Sequence, residues 1–533
     1  MREERECMLR NRRQRVGGLA VGVATLLVVT ACSSASSSSS SSASVKTLVV
    51  DKSFDLKTTD PGRAFELTGS IVDRAIYETL LTFNGSDVTK ALPELATYTE
   101  SADSKVLTLT LTGKHTFSDG TPVTADDVVF SLKRVQGLKG NPSFLLDGVT
   151  VTKTDNNTIT LTSATPNPAL PFILPNPSLG ILNSALVKKN GGMEDGTDTA
   201  ESFLNKTSAG SGPYMLESYD VTTKVVLKLN PYYQGPAPAY GRVVLENVQG
   251  PTQKINVQAG STQVALDLNA DQVVGLGTGS TKLIKGVSPD IIYSWFNQSP
   301  TVSGGVTNRP EFLKAVRHGI DDAKILAIVG SGAARPGGMV PSMFLGALQS
   351  DPANTYDPAA AKKALAASGY SGQTVTFSYA NDITVNGLQM QTLAEAIQAQ
   401  LKQIGIKLTL SPAPISTFLA AYRAGKLQSG IMYWGPDYPD PSDYLVFNPG
   451  QSLGLRAGWT AGMDPAVTAL MNAATAAAGD AARTTAYQAW QNGANASGPF
   501  IPIVQPGQYV VTASTISTLE LNPVWTVDLA EIK

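Results

Sequence analysis

Cysteine and histidine are nearly missing from this chain: its 533 residues hold two of each. Cys7 and Cys32 both stand near the start, so the body that follows can form no disulfide and offers no thiol nucleophile. A core of this size needs no such staples. His115 and His318 stand far apart, which argues against a zinc site. An excess of positive charge is missing too: Lys and Arg number 41 against 43 Asp and Glu, with no basic stripe, which excludes a nucleic-acid partner. No serine stands three residues before a lysine, and no glycine-rich phosphate loop runs into Lys-Ser or Lys-Thr. Gly330-Ser331-Gly332 lacks the third glycine of a dinucleotide fingerprint, because Arg335 sits there. Gly450-Gln451-Ser452-Leu453-Gly454 has the spacing of a nucleophile elbow, but poor helix sequence follows and no histidine lies beyond His318. Carboxylate pairs are too common to exclude a glycosidase, so an exported hydrolase stays open as an alternative.

Long apolar runs are also scarce. The longest, from about Val16 to Ala31, falls short of the roughly 20 residues that span a bilayer. Six arginines precede or open it, and it ends in small residues, the order of a secretory signal. Val29-Thr30-Ala31-Cys32 resembles the bacterial lipoprotein signal, which implies removal of 1–31 and acylation at Cys32. Residues 32–45 then form an acylated, serine-rich tether, with an r.m.s. reach of roughly 20 Å. Removing 1–31 takes six Arg and three Glu and leaves a net charge of −5.

The remaining body is long enough for two or three lobes. Thr47-Leu48-Val49-Val50 reads as a strand, and Val106 to Leu111 alternates as a half-buried strand does. Thr124 with Asp127 predicts a capping box opening a helix. Thr150 and Ile159 lie in the two strands of a hairpin. Pro166 to Pro177 reads as a surface crossing. Leu313 to Val329 and Leu393 to Ile404 carry helical spacing, the second closed by Gly405. Ile406 to Leu410, Ile415 to Ala424 and Ser429 to Trp434 follow as strand, helix and strand, giving a mixed sheet with covering helices.

Phe117-Ser118-Asp119-Gly120-Thr121-Pro122-Val123-Thr124-Ala125-Asp126-Asp127-Val128-Val129-Phe130-Ser131 resembles, almost position by position, a signature of the family 5 extracytoplasmic solute-binding proteins of peptide/opine/nickel ABC importers. Asp60-Pro61, Tyr77-Glu78, Leu92-Pro93-Glu94, Gly212-Pro213-Tyr214, Leu229-Asn230-Pro231, Ala315-Val316-Arg317, Trp434 to Pro441 and Pro499 to Ile503 follow the family's order. The resemblance implies a three-lobed, type II periplasmic-binding-protein-like α/β fold with mixed sheets and a hinge between two ligand-binding lobes. On this chain the first lobe takes 46–80, 208–297 and 500–533, the second is an insertion at 81–207, and the third is 298–499. The hinge crossings then fall near 297 and 499.

The resemblance also implies a monomeric receptor without catalytic residue, cofactor or metal. Its partners would be a peptide, an ABC permease with its ATPase, and the membrane, through the lipid anchor on the extracytoplasmic face. An oligosaccharide, an opine or a cationic small molecule is the alternative ligand. In the family's peptide binders the aspartate three residues after the tryptophan binds the ligand's ammonium, which here is Asp437 after Trp434. Tyr438 and Asp440 join the candidate site, although aspartates in such a proline-rich turn also serve as caps for backbone amides. Some oligopeptide binders carry an arginine three residues before the tryptophan for the peptide carboxylate; Ile431 stands there.

Overall fold

The computed structural model describes residues 45–533. The expected signal at 1–31, Cys32 and the tether as far as residue 44 lie outside the described residues. Three main sheets organise the rest. A seven-stranded sheet runs in the order Thr281–Val287, Gly507–Ala513, Val264–Ala265, Thr47–Lys52, Arg242–Asn247, Lys224–Leu229, Tyr214–Asp220. Its central strand Thr47–Lys52 is parallel to both neighbours, and Leu48 and Val50 are fully buried within it. A four-stranded antiparallel sheet, Ala96–Glu100 to Val149–Lys153, belongs to the insertion. There Leu107, Leu109 and Leu111 face the core while Thr110 faces water, as the alternation predicts.

The third sheet has five strands, in the order Lys407–Ala413, Thr374–Ala380, Ser429–Trp434, Ile291–Phe296, Phe500–Val504. It is mixed: the first three strands pair in parallel, and Ile291–Phe296 pairs antiparallel with both of its neighbours. The helix Met390–Ile404 covers it through Leu393, Ile397 and Leu401, and Gly405 at φ 100° ends that helix in the left-handed cap.

Sheet membership moves the hinge. Expected near 297 and 499, the crossings instead fall between Val287 and Ile291 and between Val504 and Gly507, because Ile291–Phe296 and Phe500–Val504 both belong to the five-stranded sheet. The two connectors are tied together: Ser288 N donates to the Pro506 carbonyl at 2.9 Å, and Gln505 Nε2 donates to the Ser288 carbonyl at 3.1 Å.

Two further readings need correction. Leu313 to Val329 is two helices, Pro310–Gly319 and Asp322–Val329, broken where Asp321 caps the second. Pro166–Pro177 is no surface crossing: Leu170, Ile173 and Leu174 are buried in an apolar cluster that also contains Tyr293, Phe447 and Phe500 of the five-stranded lobe. That segment therefore packs inward and brings the insertion against the third lobe. The capping box does form at the start of Ala125–Leu138, with Thr124 N donating to Asp127 Oδ2 at 3.0 Å.

This insertion is locked to the first lobe by buried charge. Arg134 donates to both Asp60 oxygens at 2.7 and 2.6 Å and to both Asp198 oxygens at 2.8 and 2.9 Å. All three side chains are fully buried. Burial would push Asp198 up, but the hydrogen bonds from Arg134 carry its carboxyl down to about 2.

Candidate ligand-binding site

The strand Ser429–Trp434 ends at Gly435, and the chain turns through Pro436-Asp437-Tyr438-Pro439 into a 3-10 helix, Pro441–Phe447. Asp440 caps that helix, its Oδ1 accepting from Ser442 N at 2.9 Å. Arg483 Nη2 donates to both Asp440 oxygens at 2.7 Å, with both side chains buried. Asp440 is thus committed to holding the loop. Trp434 packs edge-on to Phe447, with ring centroids 6.1 Å apart, and its Nε1 reaches Asp443 Oδ2 at 3.4 Å.

Asp437 is held differently. Its amide donates to Asp443 Oδ2 at 3.0 Å, and its carbonyl accepts from Asn176 Nδ2 of the insertion at 3.0 Å. Among the described residues, no lysine or arginine pairs with Asp437 or Asp443. Burial pushes the Asp437 carboxyl up to about 6, and burial, with Asp437 beside it, pushes Asp443 up as well. Tyr438 is half-buried against the same apolar cluster, and burial raises its phenol. Ile431 is fully buried in the core beneath the covering helices, in a different apolar cluster from the one that Trp434 packs against, so position 431 brings no group to Trp434.

A cleft of about 490 Å³ opens beside this segment, between the seven-stranded and five-stranded lobes. Lys52, Asp55, Asp267, Asp290, Asn386 and Tyr433 are among its lining residues. Lys52 is bound to Asp267 at 2.6 Å, and Asp55 accepts from the first amides of the helix Leu67–Ile76. Asp290 lies on a hinge connector and meets Gly435, where a Cβ would stand 2.6 Å from Asp290 Oδ1, so a side chain at 435 would push the carboxylate aside. Trp434, Asp437, Tyr438 and Asp440 thus sit on one loop, with Asp443, Asn176 and Asp290 added by the structure. Asp443 lay in plain view six positions from Asp437. Asn176 and Asp290 carried no sequence signal. Among the described residues, no group of three or more histidines, cysteines and carboxylates could hold a metal ion, and no helix is long and apolar enough to cross a membrane.

Two sheet-bearing lobes, joined by a pair of short crossings and separated by a cleft, define a hinged binding protein. The chain belongs to the bacterial extracellular solute-binding proteins, family 5, whose middle-region model matches residues 90–452. It is 26% identical over 411 residues to the probable D,D-dipeptide-binding periplasmic protein DdpA of Escherichia coli, covering 75% of this chain and 76% of that one. It is 25% identical over 424 residues to the E. coli glutathione-binding protein GsiB, covering 78% and 76%. Among solved structures, the ABC transporter substrate binding protein CtaP from Listeria monocytogenes matches with a TM-score of 0.79 at 20% identity, over 91% of this chain and 98% of that one. DppA from Helicobacter pylori, solved in complex with the peptide STSA, matches with a TM-score of 0.73 at 20% identity over 91% and 98%. The fold is that of the type II periplasmic binding proteins, and the chain is a substrate-binding protein of an ABC importer, not an enzyme.

Proposed function

We propose that this protein is a lipid-anchored receptor on the extracytoplasmic face of the cell membrane that binds a peptide and delivers it to an ABC permease. One observation carries the peptide reading. Asp437 is a half-buried carboxylate just beyond the strand whose Tyr433 lines the cleft, and among the described residues no lysine or arginine pairs with it. An unpaired buried charge is costly, and a ligand ammonium relieves that cost. The names of relatives that bind dipeptides and glutathione support the same ligand class. Peptide backbone would add strand-like hydrogen bonds, which read no side chain. Asp437→Ala should weaken peptide binding more than tenfold in calorimetry; unchanged affinity would remove Asp437 from the site. The anchor rests on the Val29-Thr30-Ala31-Cys32 pattern. Cys32→Ser should move the protein from the membrane fraction to the soluble one and abolish palmitate labelling; labelling that persists would place the acyl chain elsewhere.

A further inference from the structure

We propose that the cleft holds a second cation subsite centred on Asp290, so that the preferred ligand carries, besides its amino group, a second ammonium or guanidinium group. This rests on the peptide reading above and deepens it. The carboxylates facing the cleft are not equivalent. Asp267 is neutralised by Lys52, the one basic side chain in the lining among the described residues, and Asp55 is spent on helix amides. Asp290 remains. Its Oδ2 accepts from Ser288 Oγ at 2.8 Å and from Asn386 Nδ2 at 2.9 Å, which fixes the carboxylate plane. Its Oδ1 accepts no hydrogen bond among the described residues and lies against Gly435, two positions from Asp437. A carboxylate oriented by neutral donors, with one oxygen free in a cavity, is a receptor for a cation and not part of an internal ion pair.

An aromatic ring stands beside this carboxylate. Trp434 and Tyr433 belong to successive positions of the strand, so their side chains leave opposite faces. Trp434 shares its side with Asp443, to which its Nε1 donates, whereas Tyr433 lines the cleft with Asp290. The Asp290 subsite therefore pairs a carboxylate with the Tyr433 ring, the combination that holds organic cations. Burial also raises Asp290, as it does a carboxyl awaiting a counter-ion.

The test is calorimetry on the full chain in detergent, with lysyl-alanine against norleucyl-alanine and with lysinamide against norleucinamide. Lysyl-alanine should bind at least tenfold tighter than norleucyl-alanine. Asp290→Asn, which retains an acceptor for Ser288 and Asn386, should reduce that preference to within twofold. Equal binding of the two dipeptides by the unaltered protein overturns the subsite and leaves the peptide reading standing. An equal loss of both in Asp290→Asn also overturns it, since that is a structural effect. If neither dipeptide binds but lysinamide outbinds norleucinamide, the subsite stands and the peptide reading falls. No binding by any of the four removes both.

Discussion

Two sets of buried or half-buried aspartates sit in this molecule, and they are treated in opposite ways. Asp60 and Asp198 enclose Arg134, every oxygen engaged between 2.6 and 2.9 Å. Asp437 and Asp443 lie against each other, and Asp290 nearby, with no lysine or arginine paired to them among the described residues. The first set is closed and joins the insertion to the first lobe; the second is open, and its Asp290 lines the cleft. Burial alone does not distinguish scaffold from site. What distinguishes them is whether the fold supplies the counter-charge or leaves it to come from outside. Asp440 belongs with the scaffold by this criterion, because Arg483 holds it.

The comparison can be broken most forcefully at Arg134. Arg134→Met would leave Asp60 and Asp198 buried with only the partly exposed Arg63 as counter-charge, and urea denaturation should show a loss of about 3 kcal/mol. A loss below about 1 kcal/mol would erase the difference between the two sets. The smaller effect is in pH. Asp198, depressed to about 2, contributes stability that is present above an unfolded pKa of about 3.9 and is lost as pH falls toward 2. Asp437, raised to about 6, works in reverse: the unliganded fold gives up stability as pH rises from about 4 to about 6. Melting of the unliganded protein should therefore show Asp437→Asn gaining on the parent above pH 6, by on the order of 2 kcal/mol. Peptide affinity should move oppositely and strengthen as pH rises through 6, because the ammonium pairs with the ionised carboxyl. Identical melting profiles for the two proteins between pH 4 and 7 would show that the open set costs the unliganded fold nothing.

What could be read from sequence follows the range of each interaction. The capping box at Thr124, the strand Ser429–Trp434 and the cap at Gly405 depend on residues a few positions apart, and all three form as expected. The family resemblance supplied the type II periplasmic-binding-protein fold, which the solved relatives share. The fate of Asp440 was settled by Arg483, 43 residues on, which no local pattern reveals. Asn176 reaches Asp437 across 261 residues, from a segment whose many prolines disguised its burial. The crossings near 297 and 499 were misplaced for a related reason. Ile291–Phe296 reads as a buried strand in either lobe, and only its pairing with Ser429–Trp434 and Phe500–Val504 assigns it.

The paired connectors have a mechanical consequence. Three residues, Ser288 to Asp290, and two, Gln505 and Pro506, carry the chain between sheets, and hydrogen bonds lash them side by side. Two short rods bound together resist twist and sliding and leave one easy swing, like a door hung on paired pins. Points on the pins travel least during that swing. Asp290 is such a point, so a charge docked there meets the same geometry whether the door stands ajar or shut. Contacts carried by the swinging leaves, Asn176 to Asp437 among them, form the latch instead. A receptor built this way can take hold of its cargo at the axle before the leaves come together.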